Sequence, residues 1–344
     1  MATLSSAPVR AFITGCAGLV LSPEEEAFLA ATNPWGLILF RRNVESPAQV
    51  AALVAAFRAV VGRADAPVLI DQEGGRVQRL APPHWPAYPP AERFARLAEA
   101  GDLVAARRAA ALGARLMAHD LAALGINVDC VPCADLRLPE GHGIIGDRAY
   151  GSTPAQVAAL ARAAAEGLMR GGVLPVLKHI PGHGRARADS HESLPVVETS
   201  RAELEATDFE PFRRLADLPL AMTAHVVYAA IDPDNPATTS PTVIAEIIRG
   251  HIGFDGALMS DDLSMGALSG TLASRTQAAF AAGCDLALHC NGRMEEMTEV
   301  AGATPVLAGA AARRCGAALE RLQAPSLIEV SQAREEFSAM IAAS

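Results

Sequence analysis

Short apolar runs recur along the chain, and longer stretches of mixed apolar and polar residues separate them. Eight runs stand out, at residues 9–14, 36–40, 67–70, 126–131, 174–177, 220–223, 257–259 and 286–288. Their near-continuous apolar character is typical of strands that are buried on both faces of a parallel sheet. We therefore predict eight parallel strands.

The stretches between these runs have apolar residues at helical spacing, and several begin with Ser, Thr or Pro and end with Gly, as capped helices do. They predict helices at residues 47–61, 103–124, 154–171, 240–249 and 272–283. Eight strand–helix units within 344 residues favour an α/β fold, a closed (β/α)8 TIM-type barrel. An open, doubly wound sheet built from the same elements is the alternative.

The chain shows no internal repeat, low-complexity tract or Pro/Gly-rich linker that would divide it. We predict a single domain over residues 1–344, with a motif-bearing core at about 9–295 and closing helices from there to 344. Hydrophobic residues make up 51% of the chain and charged residues 19%, so a large core can be buried.

The charge balance narrows the range of partners. A formal net charge of −9 argues against nucleic acid or an anionic membrane surface as the main partner. No apolar stretch reaches the roughly 18 residues that a membrane-spanning helix needs. We therefore expect a cytoplasmic protein, with a monomer as the default.

The six cysteines raise the question of disulfides or a metal. Cys130 and Cys133 have the spacing of a zinc-binding pair, but no second pair of cysteines or histidines accompanies them. A chain of this length and core size does not need disulfides. We expect reduced, mostly buried thiols, no bound metal and no cofactor.

Ionisable residues follow four of the eight apolar runs: Asp71 after the third, Lys178 and His179 after the fifth, His225 after the sixth, and Asp261 and Asp262 after the seventh. Barrel enzymes build their sites at the carboxyl ends of the strands, so this pattern predicts a site. Single residues have other interpretations. Asp71 or Asp262 could cap a helix, and His225 could be a hydrogen-bonded core residue.

Two segments carry further chemistry. The loop KHIPGHGRARADSHESLP, residues 178–195, is long for its place in a barrel and contains Asp189 and His191, which favours a functional loop. A flexible turn at 182–184 is the alternative, and a phosphate-binding loop is less favoured because its lysine and hydroxyl are missing. The segment DQEGGRVQR, residues 71–79, combines a carboxylate with arginines, which suits sugar hydroxyls. Its alternative is a tight turn with a solvated salt bridge.

Together, DQEGGRVQR (71–79), KHIPGHG (178–184) with DSH (189–191), and SDDLSMGAL (260–268) resemble glycoside hydrolase family 3. The resemblance is to its single-domain bacterial β-N-acetylglucosaminidases of peptidoglycan recycling. The segments GLILFRRN (36–43), GDRAYG (146–151) and TAHVVY (223–228) fit the same family, in matching order from about residue 15 to 295.

This resemblance implies a retaining β-N-acetylhexosaminidase that removes terminal β-linked N-acetylglucosamine from fragments ending in 1,6-anhydro-muramic acid. It implies Asp261 as nucleophile and His191 as general acid/base, supported by Asp189. The implied sugar-binding residues are Asp71, Arg79, Arg148, Lys178 and His179. The sequence departs from the family pattern at Ile180, where an aromatic residue is common, and at Ala149, where Ser is usual.

The chemistry of these residues fits such a reaction. We expect Lys178 and nearby arginines to lower the pKa of Asp261, and we expect Asp262 to point away, because adjacent strand residues face opposite sides. An imidazole with a pKa of about 6.5 can donate a proton and later accept one. We hypothesise that the glycine-flanked loop with His191 moves when substrate binds.

Three rival functions stay open at this point. The first is a related enzyme for another sugar, such as a β-glucosidase, or one that favours phosphorolysis. The second is a metal-dependent barrel hydrolase that uses Lys178, His179, His225 and Asp261, although residues 9–18 contain no histidine. The third is a non-catalytic sugar-binding barrel.

Overall fold

The barrel of this protein is described by a computed structural model that covers residues 7–342. Its strands are β1 to β8, with the bounds Arg10–Thr14, Pro34–Leu39, Val68–Ile70, Val128–Asp129, Leu174–Ile180, Leu220–Thr223, Ala257–Asp262 and Leu286–His289. They pair in the order 1-8-7-6-5-4-3-2, and every pairing is parallel. The predicted fold class, a closed (β/α)8 barrel, is confirmed. The two termini of the predicted domain, residues 1 and 344, lie outside the residues that the structure describes.

Helices and short strands surround this barrel. The α-helices span Pro23–Thr32, Pro47–Val61, Glu92–Glu99, Leu103–Ala122, Pro154–Arg170, Arg201–Ala206, Glu210–Arg214, Leu272–Ala282, Met294–Ala303, Gly309–Leu319 and Val330–Ala342. A π-helix covers Val243–His251, and 3₁₀ turns cover Arg41–Asn43, Gly146–Arg148 and Ala237–Thr239. Two further pairs of short strands are Gln72–Gly74 with Val77–Gln78, and Val196–Val197 with Val227–Tyr228. Within residues 7–342, no helix has the length and apolarity to cross a membrane.

Local sequence signals explain why the helices begin and end where they do. Helix Pro47–Val61 begins after Ser46, whose hydroxyl accepts a hydrogen bond from the Gln49 amide at 3.3 Å, and it ends at Gly62 with φ of 69°. Proline at the first helical position and a left-handed glycine after the last are the expected punctuation. The predicted bounds of this helix are confirmed. The helix predicted at 240–249 is present as a π-helix at Val243–His251.

The core has two layers because successive strand residues face opposite sides. In β1, Ala11 and Ile13 belong to an inner apolar cluster, whereas Phe12 packs in the outer cluster with the helices. Cys315 and Ala318, from helix Gly309–Leu319, also belong to the inner cluster. This helix therefore covers the amino-terminal end of the barrel and leaves the carboxyl end for a site. All six cysteines, which lie within the described residues, are free and buried, as expected.

Two strands extend three residues beyond their predicted carboxyl ends, and both carry candidate site residues. Strand β5 extends to Ile180 rather than residue 177, so it includes Lys178 and His179. Strand β7 extends to Asp262 rather than residue 259. These polar residues are therefore held by the hydrogen-bonded sheet rather than by mobile loops.

Candidate active site

A cavity of about 190 Å³ opens at the carboxyl end of the barrel. Of the predicted site residues, seven line this cavity and Asp189 does not. The seven are Asp71, Arg79, Arg148, Lys178, His179, His191 and Asp261. Strands β3, β5 and β7 and the loops that follow them supply most of these groups. The sequence prediction of one site at this end of the barrel agrees with the geometry.

The most deeply buried charge of the cavity wall is Lys178, whose side chain is only 2% exposed. Its Nζ lies 3.0 Å from Asp71 Oδ1 and 2.6 Å from Glu73 Oε1. Burial by itself lowers the pKa of Lys178, but the two carboxylates outweigh it and raise the pKa above its ordinary value. The ammonium group is therefore a permanent cation.

Asp71 is held by two cations. Its other oxygen, Oδ2, accepts a hydrogen bond from Arg79 Nη2 at 2.9 Å. Burial raises the pKa of Asp71, but Lys178 and Arg79 together lower it by more and keep it well below its usual range. The Arg79 guanidinium also lies over the ring of Phe40, with its carbon 5.3 Å from the ring centre. The carboxylate is therefore ionised and fixed in direction.

Glu73 completes this wall, and the sequence analysis assigned it no role. Its carboxylate accepts two hydrogen bonds of 2.8 Å from the Arg148 guanidinium, in addition to the Lys178 contact. Burial raises the pKa of Glu73, but Arg148 and Lys178 prevail and lower it to about 2. The available signal was its position two residues after Asp71, which in an extended segment puts both on one side.

Three cations and two carboxylates thus alternate along one wall of the cavity: Arg79, Lys178 and Arg148 with Asp71 and Glu73. Charged groups of both signs offer strong donors and acceptors at fixed positions. Such a wall suits a neutral ligand with many hydroxyl groups. It contributes no large net charge that would demand an ionic ligand.

Asp261 lies at the end of β7, far along the chain from most residues of this wall, and it lines the same cavity. Its amide donates to Thr223 Oγ1 at 3.3 Å, and its Oδ1 accepts from the Asp262 amide at 2.8 Å. Burial raises the pKa of Asp261, but His225 and then His179 lower it, and the net shift is downward. The expectation that Lys178 and arginines cause this shift is wrong, because Lys178 is engaged by Asp71 and Glu73.

Asp262 has a different task from its neighbour. Its carboxylate accepts hydrogen bonds from the Ser264 amide at 3.1 Å, the Ser264 hydroxyl at 2.6 Å and the Cys290 amide at 3.2 Å. Both aspartates border the cavity, so the expectation that Asp262 points wholly away is wrong. Of these two aspartates, however, only Asp261 has a carboxylate oxygen, Oδ2, that accepts no hydrogen bond from the described residues 7–342, whereas both oxygens of Asp262 are occupied.

His225 is a core residue rather than a ligand contact. It is fully buried, with Nδ1 2.7 Å from Thr238 Oγ1 and Nε2 3.0 Å from the Asp262 carbonyl oxygen. Burial lowers the pKa of His225, against the opposing effect of Asp261. The hydrogen-bonded core interpretation of this histidine is confirmed.

His179 is oriented by Asp135, a second residue that the sequence analysis missed. His179 Nδ1 lies 2.7 Å from Asp135 Oδ2, and the His183 amide donates to Asp135 Oδ1 at 2.6 Å. A proton on Nδ1, shared with the carboxylate, leaves Nε2 of the ring to contact a ligand. The available signal was a charged residue within the apolar segment that follows β4.

The residue types of this cluster also invite a metal. Cys133, Asp135 and His179 have ligand atoms within 4.8 Å of one another, and Cys130 is not among them. However, His179 Nδ1 and Asp135 Oδ2 are 2.7 Å apart, closer than the about 3.3 Å that separates two ligands of a tetrahedral zinc ion. They are hydrogen-bonded to each other, and the arrangement does not fit a shared metal.

The loop that follows β5 brings an imidazole to the open side of the cavity. Asp189 Oδ1 lies 2.8 Å from His191 Nδ1 and also accepts a hydrogen bond from the His191 amide at 2.9 Å. Burial raises the pKa of Asp189, but these two hydrogen bonds lower it and prevail. The His191 side chain is 62% exposed, so its Nε2 is free to meet a ligand. The predicted Asp189–His191 pair therefore has the geometry of an oriented imidazole.

Comparison with known proteins places these groups in a family context. Residues 16–323 match the glycosyl hydrolase family 3 N-terminal domain. A β-hexosaminidase of Alkalilimnicola ehrlichii is 43% identical over 292 residues, which cover 80% of this chain and 79% of that protein. A β-hexosaminidase of Pseudomonas aeruginosa is 40% identical over 282 residues, covering 80% and 81% respectively.

Solved structures agree with this match. NagZ from Neisseria gonorrhoeae, in complex with N-trifluoroacetyl-D-glucosamine, superposes with a TM-score of 0.84 and 32% sequence identity. The superposition covers 98% of each chain, so no large part of either fold lacks a counterpart.

Proposed function

The chain belongs to glycosyl hydrolase family 3, and from this membership we propose that it releases terminal β-linked N-acetylglucosamine with retention of configuration. Its activity is that of a β-N-acetylhexosaminidase, because two relatives named β-hexosaminidase share 43% and 40% identity with it. The observation that carries the finer proposal is one cavity lined by both Asp261 and His191. These two groups supply a nucleophile and a proton donor.

The proposed sugar site is the wall of alternating charges. Asp71 and Glu73 accept hydrogen bonds from sugar hydroxyls, and Arg79, Lys178 and Arg148 donate to them. His179, oriented by Asp135, adds one more polar contact. Because all these groups are held by one another before a ligand arrives, little conformational freedom is lost on binding.

In the first step, an Asp261 carboxylate oxygen attacks C1 of the sugar while the bond to the leaving oxygen breaks. His191 transfers its Nε2 proton to that oxygen, so the aglycone departs as a neutral alcohol. Asp189 accepts a hydrogen bond from Nδ1 and keeps the ring in the orientation that presents Nε2. The product on the enzyme is a glycosyl ester of Asp261.

In the second step, water attacks the same carbon from the face that the aglycone has left. His191, now neutral, takes the proton of the water, and the Asp261 carboxylate is released. Two inversions at C1 amount to retention. The lowered pKa of Asp261 supports this role, since a carboxylate that stays ionised is both a ready nucleophile and a good leaving group.

The family resemblance extends the proposal to the natural substrate. We take it to be a fragment of peptidoglycan in which N-acetylglucosamine is linked to 1,6-anhydro-muramic acid, cleaved in the cytoplasm by a monomer. The solved relative bound to an N-acylated glucosamine supports the sugar half of this assignment. The aglycone half rests on the resemblance alone.

A slow fluorinated N-acetylglucosamine substrate tests the proposal. We expect one sugar to remain attached to the enzyme, and peptide mapping to find it on Asp261. Nuclear magnetic resonance of the first product formed from an ordinary substrate should show the β-anomer. Attachment to another residue, or release of the α-anomer, would refute the mechanism.

A further inference from the structure

The segment that follows the nucleophile contacts the loop that carries the acid/base. The Gly266 amide donates to the His191 carbonyl oxygen at 3.1 Å, and the Ala267 amide donates to the Ser190 carbonyl oxygen at 3.1 Å. We call Gly266 and Ala267 the docking ledge. Two adjacent amides thus hold the backbone of His191 itself and of its neighbour.

Gly266 is the tightest point of this contact. A Cβ atom added at this position would lie 2.8 Å from the His191 carbonyl oxygen and 2.9 Å from that of Glu192. Real Cβ contacts are essentially never shorter than 3.0 Å, and both obstructing atoms belong to backbone. The φ angle of Gly266 is not in the left-handed region, so close approach alone requires glycine here.

A third contact reaches the same loop from inside the barrel. The hydroxyl of Ser190 lies 3.1 Å from His183 Nε2, and both residues are 3% exposed. The His183 amide is in turn bound by Asp135, at 2.6 Å. The loop is therefore held between the docking ledge and the cluster that orients His179.

The shape of the docking ledge depends on Asp262. Its carboxylate accepts the Ser264 amide and hydroxyl, and its carbonyl oxygen accepts the Met265 amide at 3.1 Å. These bonds fold residues 262–265 into a turn that begins next to Asp261 and delivers Gly266 to the loop. The end of β7 therefore connects the two proposed reacting groups through a short hydrogen-bonded path.

We propose that the docking ledge sets the reach of His191 and that Gly266 is a positioning residue for the acid/base. The proposal rests on the proposed role of His191. Most of the other bonds of the loop near His191 are local: the Glu192 and Ser193 amides donate to the Asp189 carbonyl oxygen, both at 3.0 Å. Local bonds shape the loop but do not fix its distance from Asp261, whereas the ledge does.

The test is Gly266→Ala, assayed with two β-N-acetylglucosaminides that differ in their need for an acid. One is the β-1,4-linked disaccharide of N-acetylglucosamine, whose leaving alcohol needs a proton. The other is the 2,4-dinitrophenyl glycoside, whose leaving group departs without one. The quantity compared is kcat/KM, which reports the steps up to departure of the aglycone.

For Gly266→Ala we expect kcat/KM to fall at least about ten-fold on the disaccharide and less than about three-fold on the dinitrophenyl glycoside, a loss confined to proton transfer. Ser190→Ala removes the contact with His183 with little change of volume. It should lower kcat/KM about three-fold on the disaccharide, again with a smaller loss on the dinitrophenyl glycoside. It also keeps the proposal testable if Gly266→Ala does not fold. Gly18→Ala, at a glycine with nothing within 4 Å of its added Cβ, is the matched control and should equal the wild type.

His191→Ala is assayed beside these variants to separate the two proposals. If His191→Ala itself lowers kcat/KM equally on both substrates, the acid/base assignment fails. Suppose instead that His191→Ala is selective, but folded Gly266→Ala and Ser190→Ala lose kcat/KM equally on both substrates or on neither. The docking ledge then does not position the acid/base. Selective losses in all three variants support both proposals.

Discussion

Lys178 Nζ and Glu73 Oε1 lie 2.6 Å apart in a wall where the lysine side chain is 2% and the glutamate 7% exposed. The same ammonium group contacts Asp71, and the same carboxylate binds Arg148. Removing either charge therefore leaves its buried partners with one opposite charge fewer. The proposed sugar site is therefore also a stability element.

Glu73→Gln should destabilise the fold, because it leaves Lys178 and Arg148 buried with one carboxylate fewer. Removing one partner of a buried pair costs about 3–5 kcal/mol. Urea unfolding at neutral pH measures the loss. The control is Glu246→Gln, which removes an exposed pair with Arg201 and should change the free energy of unfolding by less than about 1 kcal/mol. Equal effects of the two substitutions would contradict the expectation.

The same carboxylate predicts a pH dependence of stability. The folded pKa of Glu73 is about 2, below its ordinary value of 4.5, so its contribution is fully present above the unfolded pKa and is lost as pH falls through the folded one. A difference of this size corresponds to about 3 kcal/mol. The free energy of unfolding should therefore decline from about pH 5 downward, and less steeply in Glu73→Gln. Parallel curves for both proteins would show that this group does not contribute.

Asp261→Asn should lower kcat by at least about 10⁴-fold on every substrate, since an amide cannot form the glycosyl ester. The measurement is kcat on a chromogenic N-acetylglucosaminide. Asp234→Asn, at an exposed aspartate outside the site, is the control and should keep full activity. Substantial residual turnover in Asp261→Asn would transfer the nucleophile role to another group.

Asp135→Asn should reduce kcat/KM about ten-fold because the His179 ring loses the carboxylate that selects its tautomer. The informative comparison is a double-mutant cycle with His179→Ala. If Asp135 acts through His179, the second substitution should add little to the loss in the His179→Ala background. Fully additive losses would give Asp135 an independent role.

Activity should survive dialysis against a strong chelator, because Asp135 and His179 bind each other rather than a shared ion. The assay is hydrolysis of the chromogenic substrate before and after treatment, with added zinc as a second arm. Loss of activity on chelation, restored by a metal, would favour the metal-dependent hydrolase instead.

The elements and the barrel were accessible from local sequence signals. Ser46 and Gly62 mark the ends of a helix that the structure reproduces residue for residue, and each predicted strand has a counterpart. The segment at 240–249 became a π-helix because the choice between helical hydrogen-bond patterns depends on tertiary packing more than on propensity.

Site residues divide in a similar way. The clustering of Asp71, Lys178, His179 and Asp261 around one cavity could be predicted, because the strand ends of a barrel meet at one edge. Glu73 was given no role although it lies within the segment DQEGGRVQR, and Asp135 was missed although it lies two residues after Cys133. Their partners, Arg148 and His179, lie 75 and 44 positions away along the chain, and spacing along the chain does not indicate such pairs.

The order of apolar runs, their caps and three motifs were enough to determine eight parallel strands and the end of the barrel that carries chemistry. Those features depend on interactions between near neighbours, which a linear pattern records. Only the tertiary structure decided that histidines rather than Lys178 lower the pKa of Asp261, and that Gly266 supports the loop of His191. Electrostatic and steric effects depend on distance in space, and it is the closed barrel that brings these remote residues together.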